Sequence, residues 1–291
     1  MPNTGGSFLI EDQSPATVFT PEDLTEEHHA IARTAREFFD KEVAPHVEEM
    51  QHGDFDVAIS LLRKAAALGL ESILTPEKYG GMEMDLTADM VVAEQFARDG
   101  SFGGWHGAHA GIATLPLLLF GTDAQKEKYL PKLSSAEIVG AYCLSEPQAG
   151  SDALAAKTRA DLSPDGTHYI LNGQKMWITN GGKANLYTVF AKVNGEQFTA
   201  FLVERGSSGL SNGAEEKKMG IKGSSTTPIF FDNVLIGSIM AMTLGITLGD
   251  KISVVSPGNV RSTRNAENCS PFTFAKTVKK SALPPLVIHI F

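Results

Sequence analysis

The sequence predicts an α+β multidomain architecture, an N-terminal helical domain followed by an antiparallel β-barrel domain. Three observations predict it. Apolar residues keep a helical period over residues 20–137, short β-branched and aromatic runs separated by Asx-Gly turns occupy 138–237, and both patterns stop after 237. With 291 residues the chain has room for two domains of ordinary size.

In the helical part, Thr20-Pro21-Glu22-Asp23 is a start signal: an N-cap hydroxyl, proline at the first helical position and acids in the first turn. Leu24, Ile31, Ala35, Phe38 and Phe39 then share one face. A second helix is expected over about Phe55–Leu68 and a third over about Thr87–Arg98. Thr122-Asp123-Ala124-Gln125 is a capping box that opens a helix burying Tyr129, Leu130 and Leu133.

From Glu137 the period changes. Strands are expected over Val139–Leu144, His168–Leu171, Lys175–Thr179, Tyr187–Val193, Phe198–Val203 and Pro228–Phe231. Asp165-Gly166, Asn172-Gly173 and Asn194-Gly195 read as hairpin turns between them, because these residues tolerate positive φ. Regular short strands with such turns indicate an antiparallel barrel or sandwich. Residues 238–291 lose any sustained period, carry six basic residues against Asp250 and Glu267, and end in a short apolar run. This tail is read as an atypical segment outside the native domains.

Composition narrows the function. The 34 acidic against 25 basic residues, net charge −9, argue against nucleic acid or an anionic membrane surface as the main partner. Cys143 and Cys269 give no disulfide framework, so a reducing compartment is expected. Residues 1–20 lack a basic region followed by an apolar run, and Ala113–Phe120, broken by Pro116, is too short to span a bilayer. A cytoplasmic location is expected. No Gly-x-Gly-x-x-Gly or phosphate loop occurs. His106 and His109 lie three residues apart without an evident carboxylate or cysteine neighbour, so no metal is expected there, and His28-His29 reads as a solvated helix face. The glycines of Gly103-Gly104-Trp105-His106-Gly107-Ala108-His109-Ala110-Gly111 either let helices pack closely or leave room for a ligand, two readings of equal weight.

Two motifs carry the chemistry. One is Tyr142-Cys143-Leu144-Ser145-Glu146-Pro147-Gln148-Ala149-Gly150-Ser151-Asp152; the other is Met176-Trp177-Ile178-Thr179-Asn180-Gly181-Gly182. Singly, each has a bland reading: a Ser-Glu-Pro turn, a core tryptophan, a helix cap. Jointly ordered and spaced, and continued by Lys218-Met219-Gly220-Ile221-Lys222-Gly223-Ser224 and Phe230-Phe231-Asp232-Asn233-Val234, they resemble the acyl-CoA dehydrogenase family. The resemblance covers about residues 20–237 and is closest to the long-chain and very-long-chain branch.

That resemblance implies FAD as cofactor and a fatty acyl-CoA as substrate, oxidised to the trans-2-enoyl form in fatty acid β-oxidation. It implies that Ser145 bonds near the flavin N5 and O4, with Tyr142, Cys143 and Leu144 beside it in backbone and packing contact. Gly150 would allow close main-chain approach, and Ser151 would bond in the cofactor and CoA channel. Trp177 would cover one flavin edge, with Ile178 and Thr179 adding backbone and hydroxyl contacts. An electron-transferring flavoprotein is the acceptor that the family implies, and the family's members are homo-oligomers. The family's glutamate base belongs to a C-terminal helical bundle that has no counterpart in this sequence, so no catalytic residue is assigned; Glu146 belongs to the flavin motif. The chain is therefore expected to be a C-terminally truncated or frameshifted family product. The alternatives are a catalytically inactive flavin or acyl-CoA binding fragment and a misfolding-prone fragment without a role.

Overall fold

The computed structural model describes residues 12, 14, 18–195 and 197–242. Seven α-helices are described in the first part: α1 (Glu26–Phe38), α2 (Val47–Gln51), α3 (Phe55–Ala67), α4 (Leu86–Phe96), α5 (Gly100–His106), α6 (Thr114–Phe120) and α7 (Asp123–Ser134). Side-chain caps start most of them. Asp54, Asp85 and Asp99 accept from Val57, Ala88 and Phe102 N–H at 3.3, 2.9 and 2.8 Å. The Thr122–Gln125 capping box forms as expected. The signal at Thr20 produces only a 3-10 turn over Pro21–Asp23, and α1 begins after a second cap at Thr25.

That second cap corrects the reading of the paired histidines. His28 N–H donates to Thr25 Oγ1 while His28 Nδ1 accepts from Thr25 N–H, and its Nε2 lies 3.0 Å from Asp85 Oδ1. His28 is buried and joins α1 to the cap of α4; only His29 is solvated.

Phe38, Phe96, Phe102 and Trp105 fill the helical core, with Phe96 edge-on to Phe102 at 5.0 Å. Between α5 and α6, Gly107–Ala113 forms a π-helical segment. Helices α6 and α7 bring Leu117, Leu130 and Leu133 against Leu186, Phe190 and Leu202 of the sheet, so one apolar layer joins the two parts.

The sheet comprises β1 (Gly140–Cys143), β2 (Arg159–Leu162), β3 (His168–Thr179), β4 (Leu186–Val193), β5 (Gln197–Glu204), β6 (Leu210–Asn212), β7 (Thr226–Gly237) and β8 (Ala241–Met242). It is not the expected antiparallel barrel. The order is β6-β7-β3-β2-β4-β5-β8, with β1 also on β4, and both β1 and β2 run parallel to β4. The sheet is therefore mixed and, among the described residues, not closed between its end strands β6 and β8.

Turn chemistry explains a further difference. Asn194 and Gly195 have φ of +53° and +81° and make the β4–β5 hairpin as expected. Asn172-Gly173 makes no turn. Gly173 (φ +153°) lies at a register shift inside the single long strand β3, where a Cβ would come within 2.5 Å of Thr158 Oγ1. Pairing also continues past 237: β8 pairs with β5, Met242 is buried, and Gln125 Nε2 donates to the Ile239 carbonyl at 2.6 Å. The rest of the tail, from 243, lies outside the described residues.

Candidate functional site

The two motifs meet where β1 ends against the second half of β3. Met176 N–H donates to the Ser145 carbonyl at 2.9 Å, and Lys175 Nζ donates to the Leu144 carbonyl at 3.0 Å. Lys175 also reaches Glu146 Oε1 at 2.8 Å, and both side chains are almost wholly buried. Glu146 takes three more donors: Thr158 N–H on Oε1, and Lys157 N–H and Gln148 Nε2 on Oε2.

Burial pulls the Glu146 carboxyl upward, but the hydrogen bonds from Lys157, Lys175 and Thr158 outweigh it and hold the group down at about 2. Burial lowers Lys175, against the raising effect of Glu146. A carboxylate so fully committed is a poor proton acceptor. Cys143 is wholly buried and burial pushes its thiol up to about 12, so it packs rather than reacts. Tyr142 is half-buried, packs on Phe190 at 4.9 Å and is likewise pushed up to about 12 by burial.

Leu144, Ser145 and Thr179 are half-buried, and Trp177 is 55% exposed. Among the described residues no hydrogen bond engages the Ser145 hydroxyl, the Thr179 hydroxyl or the Trp177 indole N–H. Ile178 is buried in the sheet core, which leaves its main chain rather than its side chain for any ligand. Gly150 and Ser151 lie on the exposed loop after the tight Glu146–Ala149 turn, and no hydrogen bond ties them to β1 or β3 among the described residues. A Cβ at Gly150 would meet open space. Uncommitted hydroxyls and an exposed indole are groups that could serve a flat amphipathic ring with a polar edge.

Packing accounts for part of the glycine-rich segment. A Cβ on Gly103 would press on Ala97 and the Phe96 carbonyl at 3.2 Å, so this glycine serves packing. Gly107 and Gly111, on the π-helical segment, face open space.

Sequence reasoning missed several residues that organise this region. Lys175 was visible only as part of a matching stretch, and nothing local marks it as buried. Asn180 is fully buried at φ +63° and donates through Nδ2 to the carbonyls of Trp105 and Gly140 at 3.1 and 3.3 Å. Trp105 Nε1 donates to the Gly223 carbonyl at 2.8 Å, another tie across the domains. His106 does have a carboxylate neighbour: its Nδ1 lies 2.9 Å from Glu71 Oε2, both groups being buried. Both ring nitrogens of His109 are engaged, Nε2 by the Leu133 carbonyl and Nδ1 by Gly140 N–H. No helix among the described residues is long and apolar enough to cross a membrane.

Comparison with known proteins places this geometry. The profile of the acyl-CoA dehydrogenase N-terminal domain matches residues 25–137, and that of the acyl-CoA dehydrogenase middle domain matches residues 141–234. A probable acyl-CoA dehydrogenase of Bacillus subtilis is 49% identical over 228 residues, covering 78% of this chain and 38% of the relative. The human mitochondrial very long-chain specific acyl-CoA dehydrogenase is 46% identical over 194 residues, 61% of this chain and 28% of the relative. An acyl-CoA dehydrogenase of Bacillus anthracis, solved as a complex with FAD, superposes with a TM-score of 0.79 at 47% identity, covering 82% of this chain and 41% of that one. The chain thus spans about two fifths or less of the length of these relatives. Two domain matches in the right order, high identity and a shared fold show that the chain belongs to the acyl-CoA dehydrogenase family, a family of FAD-dependent oxidoreductases.

Proposed function

We propose that this chain supplies the flavin-facing and acyl-facing half of an enzyme that dehydrogenates a fatty acyl-CoA between its α and β carbons. The observation that carries the reading is the junction of the two motifs. Hydrogen bonds from Lys175 and Met176 lock Leu144 and Ser145 beside Trp177 and Thr179, whose polar groups remain uncommitted.

FAD supplies hydride acceptance when bound. The protein's own part is placement. The Ser145 and Thr179 hydroxyls would donate to the ring's polar edge, where negative charge grows as hydride arrives. Tyr142, Cys143, Leu144 and Ile178 would shape the wall through backbone and packing, Trp177 would cover one edge, and Gly150 and Ser151 would line the approach of cofactor and CoA. The α-proton requires a base within about 3 Å. Glu146 is excluded from that role by its four donors.

A long acyl chain is the proposed substrate class, supported by the very long-chain human relative and by the open space at Gly107 and Gly111. An electron-transferring flavoprotein is the proposed acceptor; one solved relative, from Acidaminococcus fermentans, is described by that name and is 35% identical with a TM-score of 0.71. A binding module without turnover is the second reading, favoured because no carboxylate of the sequence matches the family's glutamate base. The test is an absorbance spectrum after loading with FAD and removing excess, followed by anaerobic palmitoyl-CoA. Retained flavin that bleaches supports dehydrogenation, retained flavin that does not bleach supports the binding module, and no retained flavin overturns both.

A further inference from the structure

Trp177 occupies a conformation that an L-residue with a large side chain resists. Its φ is +58°, two residues before the end of β3, at the register shift between Lys175 and Ile178. Left-handed backbone crowds the Cβ of a non-glycine residue against the neighbouring carbonyl and persists only where neighbours over-determine it. The indole gains little in return, being more than half exposed. The restraint must come from either side of the residue.

On one side Lys175, wholly buried, is bonded to the Leu144 carbonyl and to Glu146 while Met176 N–H holds the Ser145 carbonyl. On the other side Ile178 is buried and Asn180 is fixed three ways. Its N–H donates to the Ser225 carbonyl, its Nδ2 reaches Trp105 of α5 and Gly140 of β1, and it carries a second positive φ. Asn180 Oδ1 meanwhile has no partner among the described residues although it is buried. An amide that leaves an acceptor unpaired in the interior lowers stability at that atom. A buried lysine ion pair similarly contributes little net stability against apolar packing. Both residues are costly in the fold, and both end on the segment that presents Trp177.

We propose that Lys175 and Asn180 are positioning residues that clamp the strand on either side of Trp177 and force its indole into one fixed outward orientation. The clamp is a property of the chain alone, and its use as a preset wall for the flavin rests on the function proposed above. Because Asn180 bonds Trp105 of the helical part and Gly140 of the sheet, the orientation of Trp177 is also tied to the packing of the two parts.

The chain has two tryptophans, Trp105 buried and Trp177 exposed, so 5-fluorotryptophan gives two 19F resonances, which Trp177→Phe assigns. Two variants release the clamp without leaving a lone charge or a forbidden φ: the double variant Glu146→Gln/Lys175→Met, and Asn180→Gly. In each, the Trp177 resonance should broaden or split while that of Trp105 keeps its folded dispersion. An unchanged Trp177 resonance in the folded variants overturns the proposal. Thermal melting of Trp177→Gly and Trp177→Ala provides a check that does not depend on those variants folding. Glycine must give the higher Tm if the backbone is clamped left-handed; equal or inverted values overturn the clamp. FAD retention by the unaltered chain is scored separately. If it retains none, the flavin reading fails and the resonances still decide the clamp; if it does, both clamp variants should weaken FAD binding at least tenfold.

Discussion

Among the described residues each half of the molecule buries one acid–base pair of similar length, and the two are built on opposite terms. In the sheet, Lys175 and Glu146 lie 2.8 Å apart and both carboxylate oxygens are occupied, each by two donors. In the helical part, His106 and Glu71 lie 2.9 Å apart, equally buried, but Glu71 Oε1 has no partner among the described residues. A carboxylate with four donors keeps its charge far below neutrality and acts as a rigid tie. One with a single partner leaves part of its desolvation cost unmet. The first pair is thus fit for positioning. The second holds a histidine, His106, whose pKa its surroundings raise, and it lies at the end of α5 where the π-helical segment begins.

The largest expected effect comes from breaking the satisfied pair. Lys175→Met strands a buried charge and should cost about 3–5 kcal/mol in urea unfolding. Adding Glu146→Gln removes that charge and should recover most of the loss. Equal losses in the single and double variants would mean that Lys175 matters for packing and not for its bond to Glu146. In acid the sign follows from the depressed carboxyl. Glu146 contributes stability that is complete above its ordinary value of about 4.3 and is lost as pH falls towards about 2. Glu146→Gln should flatten the acid limb of a stability–pH curve over that window.

The contrast between the pairs was only partly legible in the sequence. The family resemblance was, because each motif is contiguous and their order and spacing can be read directly, and the two domain matches bear it out. Helix starts such as Thr122–Gln125 and the Asn194-Gly195 hairpin were also legible, since both are decided within a few residues. Lys175 was not, because its partner Glu146 lies 29 positions away and burial depends on the sheet closing over both. His28 was misread for the same reason, its partner Asp85 lying 57 positions away. Asn172-Gly173 carried the right turn residues, yet the passage of Thr158 beside Gly173 makes it a bulge. Parallel pairing of β1 and β2 with β4 left no local mark either, so turn chemistry alone suggested an antiparallel barrel.

A smaller effect is expected in the helical pair. Burial pulls His106 down, but Glu71 and, beyond it, Asp89 outweigh burial and raise its pKa. The Asp89 carboxyl is itself raised, by burial, and burial lowers the neighbouring His109. A raised histidine contributes stability that is complete below about 6.5 and is lost as pH rises through its folded value. Glu71→Gln should cost about 1–3 kcal/mol at pH 6 and remove most of that alkaline-side loss. His109 acts in the opposite direction, its contribution being lost as pH falls, so the His106 ring protons must be followed directly by NMR titration. A His106 titration midpoint unchanged by Glu71→Gln would show that the pair is uncharged and end the contrast with Lys175–Glu146.

The finest test removes one donor from the satisfied pair. Gln148 is exposed, and its amide is one of four groups on Glu146. If occupancy rather than charge alone makes that pair rigid, Gln148→Ala should cost less than about 1 kcal/mol, because Lys157 N–H still holds Oε2 at 2.6 Å. Its Trp177 19F resonance should stay sharp, unlike that of the clamp variants. A loss as large as that of Lys175→Met would mean that the carboxylate needs every donor. The sheet pair would then resemble Glu71 in being near the limit of what its surroundings satisfy, and the difference between the halves would be one of degree.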